Sequence, residues 1–160
     1  MSTSMDGQQW IGITSPISLS EPKESDIELS EELEQALREF DLFESESEMN
    51  HRMNVLSKLN QFVQNWIESV SLKKLPSQNV SEIHGKVFTF GSYRLGVHSK
   101  GADIDSLIVA PRHVERSDFF TSFYEFLLPH CEYVRPIEDA FVPVLKVKIE
   151  GKNICLSIKC

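Results

Sequence analysis

Residues 90–107, FGSYRLGVHSKGADIDSL, decide how this chain folds and where its chemistry lies. The stretch contains the pair Gly91–Ser92 and, near its end, two aspartates, Asp103 and Asp105, that are separated by one residue. An apolar run at residues 107–110 follows, which is typical of a buried strand. The stretch therefore predicts a glycine-containing turn, a loop, and a strand that begins with two carboxylates.

The two aspartates are the first candidates for chemistry. Side chains alternate between the two faces of a strand, so Asp103 and Asp105 are expected to lie on the same face. Two adjacent carboxylates repel each other, and the pair is favoured where a cation lies between them. Oxygen ligands suit a hard divalent ion such as Mg²⁺. An Asp-x-Asp pattern also occurs in solvated turns without any function, so the aspartates alone leave both interpretations open.

The segment that precedes the aspartates favours a phosphate-binding site. Residues 86–90, KVFTF, predict a strand that runs directly into Gly91–Ser92. Glycine allows the backbone to approach a phosphate closely, and backbone N–H groups and the Ser92 hydroxyl can bind its charge. A metal ion held by the two aspartates would then bridge phosphate oxygens. The combination indicates a nucleoside triphosphate site for phosphoryl or nucleotidyl transfer.

The sequence resembles the catalytic core of the DNA polymerase beta-type nucleotidyltransferases, and within them the nuclear poly(A) polymerases (polynucleotide adenylyltransferases) of animals and fungi. Beyond residues 90–107, the matching segments are GITSPIS at 12–18, VAPRHV at 109–114, DFFT at 118–121 and AFVPV at 140–144. The resemblance extends from about residue 10 to Gly151. It implies an α+β fold with a mixed β-sheet and packed helices, and addition of AMP from ATP to RNA 3′ ends, as in mRNA polyadenylation.

The resemblance also implies a role for each candidate site residue. Asp103 and Asp105 correspond to two of the three catalytic aspartates that hold two Mg²⁺ (or Mn²⁺) ions in the family. The segment that lines the ATP phosphates corresponds to Phe90, Gly91 and Ser92. Ser99 falls where a threonine commonly contacts the nucleotide. One ion would lower the pKa of the RNA 3′-hydroxyl while the other stabilises the triphosphate and the pyrophosphate leaving group.

Two further positions correspond to residues that approach the RNA 3′ end in the family. These are Phe141 and Lys146. Each also has a purely structural interpretation, because Phe90 and Phe141 could belong to the core and Lys146 could be a solvated strand residue. ATP and the RNA 3′ end are therefore the expected partners, together with mRNA 3′-processing factors, and the nucleus is the expected location.

The chain departs from the family at the third aspartate. After Gly151 it continues KNICLSI, so that Cys155 occupies the aspartate position. A thiol is a soft ligand, mostly protonated near neutral pH, and a poor partner for Mg²⁺. The chain stops at Cys160, and the central and RNA-binding domains that the resemblance implies are absent from it. We therefore expect a truncated, incomplete catalytic domain with little or no activity alone. The alternative is a non-catalytic fragment that acts as a binding module or pseudoenzyme.

Composition limits the remaining possibilities. The net charge of −8, from 24 acidic and 16 basic residues, has the wrong sign for the main RNA-binding surface. The three cysteines lack metal-binding spacing, which predicts neither a disulfide framework nor a zinc site and favours a reducing intracellular compartment. The sequence contains no apolar stretch long enough to span a bilayer and no signal-peptide pattern, so no membrane partner is expected.

Length and periodicity predict one domain. Residues 1–25 are expected to be largely flexible, and residues 26–160 to form the nucleotidyltransferase domain. Helices are predicted at 30–40 with Ser30 as the cap, at 47–70, and from Ser117 to Pro129. Strands are predicted at 86–90, 107–110, 141–150 and 153–158. Apolar residues at spacings of three and four in the second helix predict a core-facing stripe rather than a base-stacking platform.

Overall fold

The computed structural model describes residues 17–75 and 82–160. Most of the segment predicted to be flexible, and residues 12–16 of the GITSPIS match, fall outside these ranges. Within the described ranges, no helix combines the length and the hydropathy that a bilayer-crossing segment needs.

Helices α1 (Glu24–Glu39) and α2 (Glu46–Lys74) come first along the described chain. A capping box starts α2: the Ser45 hydroxyl accepts a hydrogen bond from the Glu48 backbone N–H, and the Glu48 carboxylate accepts one from the Ser45 backbone N–H. The start predicted for α1 is wrong. Its cap is Lys23, and Ser30 lies inside the helix, where its hydroxyl donates to the carbonyl one turn earlier.

In the part of the chain that the structure describes, five strands form one sheet, namely β1 (Lys86–Thr89), β2 (Ile104–Val109), β3 (Tyr133–Ile137), β4 (Val144–Ile149) and β5 (Lys152–Lys159). Their order is β1-β2-β5-β4-β3, with β2 and β5 parallel and the other neighbours antiparallel. The predicted mixed sheet is therefore confirmed. Strand β3 was not predicted, because Pro136 interrupts its pattern, and a proline is tolerated only since β3 lies at the sheet edge.

The hairpin between β4 and β5 sets the register of the last strand. Its two loop residues, Glu150 and Gly151, both have positive φ, at 48° and 79°. A two-residue hairpin loop of this kind matches the twist of the strands that it joins. The predicted turn at Gly151 is confirmed, and it places β5 between β4 and β2.

Helices pack on one face of the sheet. The short helix α3 (Gly91–Leu95) lies between β1 and β2, and a later helical stretch consists of α4 (Arg116–Asp118), a π-helical turn (Phe119–Phe123) and α5 (Tyr124–Leu127). The cap of α4 is Glu115 rather than the predicted Ser117. Trp66 of α2 packs against Phe123 with the rings tilted and their centroids 4.5 Å apart, and its indole N–H donates to the Ser122 hydroxyl at 2.9 Å.

The core confirms the predicted stripe of α2. Its fully or almost fully buried apolar residues are Val55, Leu59, Phe62, Val63, Trp66, Ile67 and Val70. They pack together with the buried side chains of β2, β4 and β5. Burial alternates along these strands, so that Ile104, Leu145 and Ile154 face the helices. We call the opposite side, which carries Asp105, Cys155 and Lys146, the open face.

Candidate functional site

The two aspartates of the DID motif lie at the start of β2 on the open face. Asp103 directly precedes the strand and is exposed, whereas Asp105 lies within it and is half-buried. Ile104 between them is completely buried in the core. Burial therefore alternates as the sequence predicted, and the charges of both aspartates act on Cys155, which lies on the open face.

The glycine–serine segment contacts the second aspartate directly. The Phe90 backbone N–H donates to the Asp105 carbonyl at 3.0 Å, which holds the end of β1 against β2. Gly91 has a φ of +65°, and a Cβ there would lie 2.3 Å from Asp105 Oδ2. Only glycine combines this conformation with so close an approach. The glycine–serine segment and the second aspartate, which the sequence predicted to act together, are therefore in direct contact.

Three side chains on neighbouring strands form a row across the open face, and the row begins at Asp105. Asp105 is the register partner of Cys155 on β5, and Cys155 is in turn the partner of Lys146 on β4. Neighbouring strands are about 4.8 Å apart. Burial, followed by the charges of Asp105 and Asp103, raises the pKa of the Cys155 thiol, while Lys146 opposes the shift. The thiol is therefore neutral at physiological pH, and the row runs from anion to cation across it.

A small cavity of about 170 Å³ lies beside Asp103. Its lining residues are Asp103, Tyr133, Lys146, Val147, Asn153 and Ile154. Tyr133 and Asn153 were not predicted as site residues. Neither carried a sequence signal, because the strand of Tyr133 was itself missed and Asn153 only follows the hairpin turn.

The other predicted site residues are Phe90, Ser92, Ser99 and Phe141, and they differ in burial and in hydrogen bonding. Ser92 is half-buried in the first turn of α3, and its carbonyl accepts a hydrogen bond from the Val97 N–H at 3.0 Å. Ser99 is exposed in the loop between α3 and β2, and among the described residues it makes no hydrogen bond to either carboxylate. Phe141, between β3 and β4, is fully exposed, and Phe90 is 47% exposed. The alternative that these two rings belong to the core is wrong.

The donor set fits a hard cation at two positions and not at the third. Asp103 and Asp105 supply carboxylate oxygens, which Mg²⁺ and Mn²⁺ accept. Cys155 supplies a neutral thiol. Among residues 17–75 and 82–160, no group of three or more histidine, cysteine, aspartate or glutamate side chains is arranged to hold a metal ion. The two carboxylates can therefore contribute to a metal site, but the described side chains do not complete it.

A buried ion pair lies behind the loop that leads to Asp103, and sequence reasoning missed it. Arg52 on α2 has no exposed surface, and its Nε lies 2.7 Å from the Glu44 carboxylate. A second guanidinium nitrogen donates to the Ala102 carbonyl at 2.7 Å. The signal that could have revealed it is spacing, since Arg52 lies three residues before Val55 on the apolar stripe of α2.

The structure combines a mixed sheet that has helices on one face with a direct approach, on the other face, of Gly91 at the start of α3 to the Asp105 carboxylate. The family model described as the poly(A) polymerase nucleotidyltransferase domain matches residues 12–159. The chain belongs to this family. It is 48% identical over 156 residues to a poly(A) polymerase of Dictyostelium discoideum, a match that covers 96% of this chain and 19% of that relative.

Other comparisons agree with the family and the fold. A poly(A) polymerase from Candida albicans is 42% identical over 151 residues, which cover 92% of this chain and 27% of the relative. The chain therefore spans about a fifth to a quarter of the length of these curated relatives. A solved structure of the Cid1 poly(U) polymerase has a TM-score of 0.56 at 16% identity, over 82% of this chain and 37% of the other. At this identity the likeness supports the fold alone.

Proposed function

We propose that this chain carries the paired carboxylates of a polynucleotide adenylyltransferase site, which transfers AMP from ATP to the 3′-hydroxyl of RNA. The observation that supports it best is the direct contact between the two segments of the motif: Gly91 packs against the Asp105 carboxylate, as expected if the segment proposed to bind phosphate and the carboxylate proposed to bind metal act together. The family membership supplies the reaction class, and the poly(A) polymerase relatives suggest ATP and RNA as substrates.

The proposed roles follow the geometry of the open face. Asp103 and Asp105 would hold Mg²⁺ or Mn²⁺ in a two-metal site; such ions, when bound, activate the attacking hydroxyl and neutralise charge on the triphosphate. The backbone of Phe90–Ser92 lies at Asp105 and is the proposed contact for the ATP phosphates, with Ser99 contributing from the following loop. Lys146 carries a positive charge two strands from Asp105, where it would attract the phosphates of nucleotide or RNA.

The 160-residue chain tested by itself is proposed to have little or no activity, because Cys155 stands at the position of the third aspartate. Its neutral thiol contributes no charge to a second metal ion. It also lies directly beside Asp105 in the register of the sheet, where the family resemblance places a carboxylate. Replacing an anionic ligand with a neutral one at this point weakens the hold on the ion that activates the hydroxyl.

Primer extension tests both parts of the proposal. The purified chain is incubated with a short RNA, ATP, and Mg²⁺ or Mn²⁺, alongside Cys155→Asp and the control Cys160→Asp, which adds the same charge at the exposed C-terminal residue. We expect no lengthening by the wild-type chain or the control, and a gain in Cys155→Asp. Lengthening by the wild-type chain that Asp105→Ala abolishes would support the transferase and refute the inactivity.

A second candidate function is a non-catalytic binding module, and the position of Cys155 beside Asp105, where the family resemblance places a third aspartate, favours it. The measurement that separates the two is Mg²⁺-dependent ATP affinity, determined by isothermal titration calorimetry. Cys155→Asp should increase this affinity if the site is otherwise formed. An unchanged affinity, together with no RNA lengthening by either chain, would identify Cys155 as irrelevant and favour the binding module.

A nuclear location and association with mRNA 3′-processing factors are also proposed, on the family resemblance alone. A fluorescent fusion of the chain in cells tests the first, since a cytoplasmic signal would contradict it. Co-purification with 3′-processing factors tests the second.

A further inference from the structure

Arg52 of α2, its partner Glu44 and nearby backbone hydrogen bonds hold the loop between α3 and β2 on its core side. We call this set of contacts the clamp. Arg52 donates through one terminal nitrogen to the Ala102 carbonyl at 2.7 Å, and Ala102 is bonded directly to Asp103. Two backbone hydrogen bonds hold the same loop: the Lys100 N–H donates to the Leu42 carbonyl at 2.9 Å, and the Ala102 N–H to the Ser99 carbonyl at 3.1 Å. The start of β2 is therefore held from the core side, away from the open face.

Glu44 is the centre of this clamp. Its carboxylate, whose side chain is only 3% exposed, accepts hydrogen bonds from Arg52 Nε at 2.7 and 2.8 Å. It also lies 3.3 Å from Lys152 Nζ at the start of β5, and 3.3 Å from His98 Nε2 in the loop itself. One carboxylate thus ties together the α1–α2 connection, α2, the loop before Asp103, and the strand that carries Cys155.

The buried charge of Glu44 is stabilised because it pairs with Arg52 and Lys152. Burial alone would raise the pKa of Glu44, but the hydrogen bonds and charges of Arg52 and Lys152 outweigh it and lower the pKa below its ordinary value. The guanidinium is suited to this position because its planar fork can contact the carboxylate and the carbonyl simultaneously. A lysine would keep the positive charge, but its single ammonium group cannot reproduce the fork.

We propose that Arg52, oriented by Glu44, is a positioning residue that fixes the Ala102 carbonyl and thereby the placement of the Asp103 carboxylate relative to Asp105. This inference rests on the proposed function in one respect, namely that the two carboxylates are to bind a common metal site. Small displacements of such groups cost a large part of their effect. Arg52 and Glu44 lie on the core side of the loop, so the clamp acts on Asp103 through the backbone of the loop.

The experiment compares Arg52→Lys and Glu44→Gln with a matched control, Lys58→Met. Lys58 is also on α2 and also makes an ion pair with a distant element, Glu150, at 2.8 Å, but it does not contact the loop before Asp103. Amide hydrogen exchange is measured by NMR on the metal-free chains. The amides of Lys100 and Ala102 report the clamp because both donate the backbone hydrogen bonds described above. Amides of β5 such as Leu156 report global opening.

We expect exchange at Lys100 and Ala102 to accelerate about tenfold in Arg52→Lys and Glu44→Gln, with a much smaller change at Leu156 and none in Lys58→Met. Titration with Mn²⁺ alone, followed through the broadening of the Asp103 and Asp105 amide signals, should require about tenfold more metal in the two clamp variants. Because the NMR signals come from folded molecules, a loss of stability alone would not shift this titration.

The results separate the clamp from the proposed function. Exchange at Lys100 and Ala102 that rises only as much as at Leu156, in both clamp variants, would overturn the positioning role. An Mn²⁺ titration that is the same in all folded variants, while the wild-type chain binds, would overturn it as well. If the wild-type chain shows no broadening at Asp103 and Asp105, the metal-binding part of the proposed function fails, and the exchange measurements still decide the clamp.

Discussion

Gly91→Ala is the substitution that best tests the close contact between Gly91 and the Asp105 carboxylate. An alanine Cβ would lie 2.3 Å from Asp105 Oδ2 and 3.3 Å from its Cγ, so the carboxylate or the backbone must move. The left-handed conformation costs a non-glycine residue about 1–2 kcal/mol, and the reduced entropy of the unfolded chain returns about 0.4–1 kcal/mol. The steric contact adds about 1–3 kcal/mol. We therefore expect a loss of about 2–4 kcal/mol in the free energy of unfolding.

Gly96→Ala is a matched control for the backbone term. Gly96 has a similar φ of +71°, but a Cβ there would meet no atom within 4 Å. In urea unfolding followed by circular dichroism, this variant should lose only about 1 kcal/mol, which is the net conformational cost. The excess cost of Gly91→Ala should largely disappear in an Asp105→Ala background, because the nearest remaining atom, the Cβ at 3.5 Å, lies at ordinary contact distance. Equal costs for the two glycine variants, within about 0.5 kcal/mol, would refute the contact.

Three other properties of the chain can be measured. Phe123→Ala should lower the free energy of unfolding by about 3–5 kcal/mol in urea titrations, because the ring is fully buried against Trp66; a cost below about 1 kcal/mol would contradict this packing. The lowered pKa of Glu44 contributes stability that is present above about pH 4.5 and lost as the pH falls through the folded-state pKa, so Glu44→Gln should flatten the pH dependence of stability on the acid side. Burial raises the pKa of Cys131 to about 11, so its alkylation by iodoacetamide at mildly alkaline pH should be about 100-fold slower than that of an ordinary thiol, and urea should remove the difference.

The sequence predicted the elements whose patterns are strong and local. The stripe of α2, the alternation at Asp103–Asp105 and the turn at Gly151 were all confirmed, because each depends on residue spacing along one element. Helix starts were less accurate. Ser30 and Ser117 are good capping residues, but helices begin where the chain first becomes compatible with them, here at Lys23 and Glu115.

The site was only partly predictable for the same reason. Gly91, Asp103 and Asp105 belong to a recognisable motif, and Cys155 stands out as a departure from the family pattern, so these four positions could be singled out from the sequence. Tyr133 could not be assigned to the cavity, because Pro136 obscured its strand and the edge position that tolerates the proline is a property of the sheet.

By itself, the sequence determined the family, most of the helices and strands, and the pair of carboxylates, because these are encoded by residue type and by spacing along the chain. Only the tertiary structure decided which distant residues meet. The parallel pairing of β2 and β5 places Cys155 beside Asp105. Arg52 is buried rather than exposed, and it donates a hydrogen bond to the Ala102 carbonyl. These contacts join residues that are far apart along the chain. They depend on how all the strands and helices pack together, which no local sequence pattern specifies.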